Sequence, residues 1–260
     1  MNETPDTLLA REDLPAFTVG NENGRSPFLL VVDHAGKRIP ACLGELGLAA
    51  ADRERHIAWD IGAGAVADML GAALDAVVIR QNYSRLVIDC NRMPATPTSI
   101  ASVSELTPVP GNVGLSDAHK LIRVREVFDP YHNRIALELD RRRDAGRATA
   151  LIAMHSFTPV FKEVVRPWQV GVLYHRDVRF AHILLELLRC EVGLVVGDNE
   201  PYSVSDDSDY TIPVHGEQRA LHHVAIEIRQ NLITDELGQQ KWAALLARLL
   251  RQAHARLADG

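Results

Sequence analysis

The stretch PFLLVVDHAG, residues 27–36, decides the architecture. Its short, uninterrupted apolar run is what a strand buried on both faces looks like. The run stops at Asp33-His34, and Ala35-Gly36 then turns the chain. The same order recurs in ALIAMHSFTP, residues 150–159, where an apolar run ends at His155 and Pro159 closes the following loop. Further strands read at 76–79, 86–88, 170–174, 194–196 and 224–228. Apolar residues at helical spacing run over 53–74, through Ile57, Ile61, Val66, Met69 and Leu70, and a helix also reads over 178–190. Ser116 is placed to cap a helix running towards Pro130, with a second helical stretch to 143. From residue 235 onward, Trp242, Leu245, Leu246, Leu249 and Leu257 form one stripe, read as core packing rather than a partner face. Strands alternating with helices define an α/β layer fold with a mainly parallel sheet, and such folds bind ligands beyond the carboxyl ends of their strands.

Composition narrows the function classes. A chain of 260 residues makes one large domain or two small ones and buries a core without staples. A formal net charge of −6 argues against nucleic acid or a basic membrane patch, while leaving room for a local cationic pocket. No apolar run reaches membrane-spanning length, and the acidic, polar start does not read as a signal peptide. Residues 1–25 read as a loosely packed extension of a single domain. The 3 cysteines, Cys42, Cys90 and Cys190, form no CxxC, so neither a disulfide framework nor a thiolate zinc site is expected, and the compartment is expected to be cytoplasmic. Two loops stand out: 93–114, rich in Pro, Ser, Thr and Gly, and 197–209, where acids and turn residues gather.

Histidine is where chemistry concentrates. A histidine at a strand end faces the ligand crevice, and neutral imidazole there suits zinc; the plain alternative for His34 is a turn residue bonded to Asp33 or to backbone. Two such strand ends, His34 and His155, suggest one shared site. A catalytic zinc needs a third ligand and one open position. Asp60, set among Trp59, Ile61 and Gly62 in HIAWDIGAGA, is the candidate, because a buried carboxylate needs a partner or a metal. Its alternatives are an acid bonded to backbone or an exposed helix residue. His56, one helical turn earlier, is the substitute ligand. In HVAIEIRQNLI, residues 223–233, strand alternation puts Glu227 and Arg229 on one side. They are either a structural ion pair or, for Glu227, the general base of a metal-bound water. Arg80, Arg85 and Arg92 flank another run, and Asn91-Arg92 can grip a carboxylate through the guanidinium fork; the alternative is an arginine in solvent or paired with Asp89. P-loop, GxGxxG, HExxH and GxSxG patterns are all absent, and GAGAVAD at 62–68 reads as close helix packing.

Taken together, VVDHAGKRIP, AWDIGA, YSRLVIDCNR, MHSFTP, GDNEPYS and HVAIEIRQNLI resemble the N-formylglutamate amidohydrolase family, in the family's order, from Val31 to Ile233. The resemblance implies a three-layer α/β/α, phosphorylase/hydrolase-like fold on the zinc carboxypeptidase side, with a mainly parallel mixed sheet. It implies hydrolysis of N-formyl-L-glutamate to formate and L-glutamate within histidine breakdown, with one zinc per chain. By motif, His34, Asp60 and His155 would hold zinc, with Glu227 as base and acid. Arg85, Asn91 and Arg92 would bind substrate carboxylates, and His215 would face the pocket and stabilise the oxyanion; Arg229, on the Glu227 side of its strand, is a further substrate-binding candidate. No glutamate stands three residues after His34, where the carboxypeptidase pattern has one, so the middle ligand is open between Asp60 and His56. The competing readings are hydrolysis of another N-acyl amino acid or small peptide-like amide and, in a different class, a metal-free protein that binds small anions.

Overall fold

In a computed structural model that describes residues 7–258, the chain builds one seven-stranded sheet with helices on both faces. The strands are β1 (Phe17–Gly20), β2 (Phe28–Val32), β3 (Val77–Gln81), β6 (Ala150–Phe157), β9 (Val170–Leu173), β10 (Val196–Asp198) and β11 (His222–Arg229). Two small hairpins, β4 (Val103–Ser104) with β5 (Thr107–Pro108) and β7 (Val160–Phe161) with β8 (Val164–Val165), lie outside it. The helices are α1 (Ala50–Arg53), α2 (Ala63–Leu74), α3 (Asp117–Arg123), α4 (Asp129–Asp144), α5 (Arg179–Arg189) and α6 (Glu236–Ala258).

The strand order is β1-β3-β2-β6-β11-β9-β10. The central strands β3, β2, β6 and β11 run parallel, β9 is antiparallel to β11, and β1 is antiparallel to β3. This is the mixed, mainly parallel three-layer sheet that the sequence implied. Every residue of β2 is buried because both faces are covered. Phe28, Leu30 and Val32 pack with α2, α5 and α6, and the Trp242, Leu246 and Leu249 stripe of α6 lies in that same core. Leu29 and Val31 face the opposite core, with Tyr131, Ile135 and Leu139 of α4. No helix among the described residues is long and apolar enough to cross a membrane.

Four expectations change. Residues 86–88 are buried but form a turn: Asn112 and Arg123 side chains donate to the Leu86 and Val87 carbonyls at 2.8 and 2.9 Å, which replaces a strand ladder. The helix read over 53–74 is broken. Gly62 adopts φ +80°, and a Cβ there would meet the Ile233 carbonyl oxygen at 2.2 Å, so α2 starts only at Ala63 and Asp60 lies in the turn before it. Ser116 does cap α3, accepting from the His119 amide, but Pro130 does not end the helical path. A π turn over Val124–Phe128 leads into α4, whose first turn tolerates a residue without an N–H. Finally, the amino-terminal segment is packed over its described part. Leu8 is buried, the Leu8 and Leu9 amides donate to Glu126 at 2.7 and 2.9 Å, and β1 joins the sheet edge; residues 1–6 lie outside the described ones.

Candidate active site

The crevice at the carboxyl ends of β2, β6 and β11 holds the chemistry. His34 lies two residues past the end of β2, and His155 lies near the end of β6. The parallel ladder places Glu227 of β11 opposite His155. Asp60 reaches them because its amide donates to the His34 carbonyl at 2.9 Å and Gly62 then bends the chain away. His34, Asp60 and His155, all buried, offer ligand atoms within 4.8 Å of one another. The Nδ1 atoms face Asp60 Oδ2, at 3.4 Å from His34 and 3.0 Å from His155. The outer ring nitrogens face two further carboxylates. His34 Nε2 lies 2.7 Å from Asp89 Oδ1, and His155 Nε2 lies 3.4 Å from Asp33 Oδ2. These acids are themselves held. Arg85 donates to Asp89 Oδ2 at 2.6 and 3.1 Å, and Tyr131 and Thr211 hydroxyls each donate to Asp33 Oδ1 at 2.8 Å.

Burial and charge set the protonation of this cluster. Burial alone would raise Asp60, but the imidazoles of His34 and His155 outweigh it and hold the carboxyl below the usual carboxylate range. Asp89 is likewise held down, burial being overcome by Arg85 and then His34. Burial opposes a charge on His155, yet Asp33 and Asp60 overcome it and raise that imidazole. Glu227 behaves differently. Burial pushes its carboxyl up to about 7 against the pull of His155, and its Oε2 is buried with no hydrogen-bond partner among the described residues.

The donor set fits a metal. Two imidazoles and one carboxylate suit zinc and leave a fourth position open for water or substrate. His34 Nδ1 is buried without a hydrogen bond. A carboxylate behind each ring is the arrangement that fixes the Nε2–H tautomer and turns the Nδ1 lone pair inward. Sulfur is not available: Cys90, the buried cysteine, receives the Gln81 amide at 3.1 Å.

The N-formylglutamate amidohydrolase family model matches residues 26–234, which include every residue of this crevice. The chain belongs to the N-formylglutamate amidohydrolase family. Its members hydrolyse an amide bond. A crystal structure of a gene product from Agrobacterium tumefaciens superimposes with a TM-score of 0.94 and 35% identity, covering 96% of this chain and 99% of that one. An N-formylglutamate amidohydrolase from Ralstonia eutropha JMP134 superimposes with a TM-score of 0.65 at 19% identity, covering 93% and 98%. The second likeness, at that identity, speaks for the fold alone. No curated protein matches the chain.

In this family member, a cavity of about 800 Å³ opens over the cluster and is lined by His34, Asp60, His155, Glu227, Arg85 and Arg92, among others. Gly171 shapes one wall. It pairs with Glu227 across the β9–β11 ladder, and a Cβ there would meet the Glu200 carbonyl oxygen at 2.0 Å, so the loop carrying Tyr202 lies directly on β9. Asn91 lines the cavity while fastening that loop: its amide donates to Asp209 at 3.0 Å and its oxygen accepts from the Tyr210 and Thr211 amides. His56 also lines the cavity but turns to Glu105 at 3.4 Å, because the helix that would have aligned it with Asp60 does not form.

Two expected positions lie elsewhere. Arg229 does not line the cavity. From the end of β11 it donates to the Arg166 and Pro167 carbonyls at 3.3 and 3.4 Å, and to Asn231 at 3.0 Å. His215 does not line it either. Its π turn, Ile212–Glu217, carries the ring inward to bond His132 at 3.0 Å. Sequence reasoning missed Asp33 and Asp89 as the acids behind the histidines, having read them as a turn partner and an arginine partner. The signal for Asp89 was present: an acid ending an apolar run.

Proposed function

We propose that the chain hydrolyses the amide of an N-acylated acidic amino acid, N-formyl-L-glutamate foremost, using one zinc ion per chain held by His34, Asp60 and His155. The observation that carries this reading is the unpartnered carboxyl of Glu227 beside two imidazoles and a carboxylate, all at strand ends within one cavity. A zinc ion bound there supplies Lewis acidity, lowering the pKa of a water to about 7 and polarising a carbonyl oxygen. Glu227 is the proton carrier: its free Oε2 takes a proton from water and delivers it to the departing amine. Asp89 and Asp33 hold the two imidazoles in register. Arg85 and Arg92 give the cavity positive charge for the substrate's α-carboxylate, a local exception in a chain of net charge −6.

The test is formate or acetate release from a panel of N-formyl and N-acetyl amino acids by zinc-reconstituted protein, with metal content measured in parallel. The expected result is about one zinc per chain and the fastest turnover on N-formylglutamate. Full activity in a preparation stripped of metal, or no release from any N-formyl amino acid, would refute the reading.

A further inference from the structure

The arginines around the cavity are mostly already matched by acids. Arg85 is held by Asp89, Arg92 lies 3.4 Å from Asp209, and Arg55 is held by Asp52 and Glu105. Arg166 is not. It stands directly behind the cavity wall that its neighbouring rings form, without lining the cavity itself; it is only 7% exposed, no carboxylate among the described residues lies within ion-pair distance, and its Nη1 has no hydrogen-bond partner. Three aromatic rings surround it instead: Phe161 at 4.6 Å, Tyr202 at 4.7 Å and Phe157 at 5.8 Å from the guanidinium carbon. All three rings line the cavity.

We propose that Arg166 grips the side-chain carboxylate of the substrate and so sets the preference for an acidic amino acid. The inference rests on the amidohydrolase reading above and adds the residue that selects the substrate. Aromatic rings stabilise a guanidinium through its faces, and here they leave the Nη1 donor of Arg166 unsatisfied. A buried cation with unused donors is costly, and a carboxylate approaching in the plane of the fork removes that cost with two charge-assisted bonds. Location agrees. Phe157 stands two residues past His155 on the same face of β6, roughly 7 Å farther along the strand, which is the scale of a glutamyl side chain. The arginine is also braced. Its amide donates to the Pro159 carbonyl at 2.9 Å, closing the β7–β8 hairpin, and its carbonyl accepts from Arg229. Arg229 is therefore a positioning residue for Arg166.

The experiment compares wild type, Arg166→Met and Arg166→Lys, all reconstituted with zinc, on N-formylglutamate and its neutral isostere N-formylglutamine. Glutarate binding is measured by calorimetry on the same proteins. The expected result is a loss of roughly a hundredfold in kcat/KM for N-formylglutamate in Arg166→Met, with less than about threefold for N-formylglutamine, and partial recovery in Arg166→Lys. Glutarate should bind wild type and fail to bind Arg166→Met. Equal losses on both substrates, an unchanged acid preference, or glutarate binding that is absent in wild type or intact in Arg166→Met would overturn the proposal. If wild type cleaves neither substrate, the amidohydrolase reading falls by itself, and the glutarate arm still decides the role of Arg166.

Discussion

Acidifying the zinc-free protein from pH 7 to pH 5 should draw a measurable penalty from one buried pair of imidazoles, His132 and His215. His132 Nε2 lies 2.7 Å from the Cys90 carbonyl and so carries the proton; its Nδ1, 3.0 Å from His215 Nε2, must then accept. A proton added at Nδ1 would set two N–H groups against each other. Burial pushes His132 down to about 4, and burial with the neighbouring His132 pushes His215 down to about 3. Both folded values lie below the unfolded value of about 6.5. The stability they contribute is therefore complete above pH 6.5 and is lost as the pH falls towards the folded values. With His132 at about 4, going from pH 7 to 5 costs about 2 kcal/mol, and His215 costs a similar amount. His34 and His155 have raised values and work in the opposite sense, so the wild-type profile alone does not decide. His132→Gln isolates the effect. The variant should start less stable at pH 7, having lost two hydrogen bonds, yet its further loss down to pH 5 should be smaller by about 2 kcal/mol. Urea unfolding followed by tryptophan fluorescence at pH 7, 6 and 5, with a chelator throughout, measures the difference. Parallel profiles for the two proteins would refute the reasoning.

Glu227→Gln should keep its metal and lose turnover by about a hundredfold or more, and near-normal kcat would remove Glu227 from the proton-carrying role. Asp89→Asn should weaken zinc affinity by roughly 10- to 100-fold, since the acid behind His34 is lost; competition with a chromogenic chelator reads this directly, and unchanged affinity would count against it. Gly171→Ala forces a Cβ towards the Glu200 carbonyl. It should cost about 1–3 kcal/mol in unfolding free energy and lower kcat/KM by displacing the Tyr202 loop, whereas a variant as stable and active as wild type would show that the wall is not fixed there.

Much of this site was legible because the sheet writes it in order. An apolar run that ends in histidine, as before His34 and at His155, is a buried strand delivering an imidazole to the crevice. Asp60 was legible as an acid in apolar surroundings, although the helix drawn through it was wrong, since nothing local to Gly62 reveals that Ile233 packs against it. Leu86, Val87 and Ile88 misled for the same reason: the partners of their backbone, Asn112 and Arg123, come from distant segments. Alternation correctly put Arg229 beside Glu227 along β11, but the side chain leaves the strand end for nearby carbonyls, a choice that periodicity does not encode. Arg166 lies in a hairpin-closing stretch with no pattern of its own, and only the three rings around it mark it out.

The crevice holds more buried acids than imidazoles, and its charge has to balance. Asp33, Asp60, Asp89 and Glu227 are all buried around two imidazoles; Arg85 pairs directly with two of these acids, and Arg92 acts on Asp89 from farther away. Four carboxyl groups in so small a volume are not tolerated without compensation. Two extra protons on the imidazoles supply two positive charges, and each ring can then satisfy an acid on both sides: Asp60 and Asp89 for His34, Asp33 and Asp60 for His155. A divalent cation supplies the same two charges from the Nδ1 side, while the outer acids keep the Nε2–H bonds. The outer acids therefore serve both arrangements, and removing one weakens both. Asp89→Asn should accordingly lower both metal affinity and the stability of the metal-free fold, where the buried His34 imidazole loses its counter-ion.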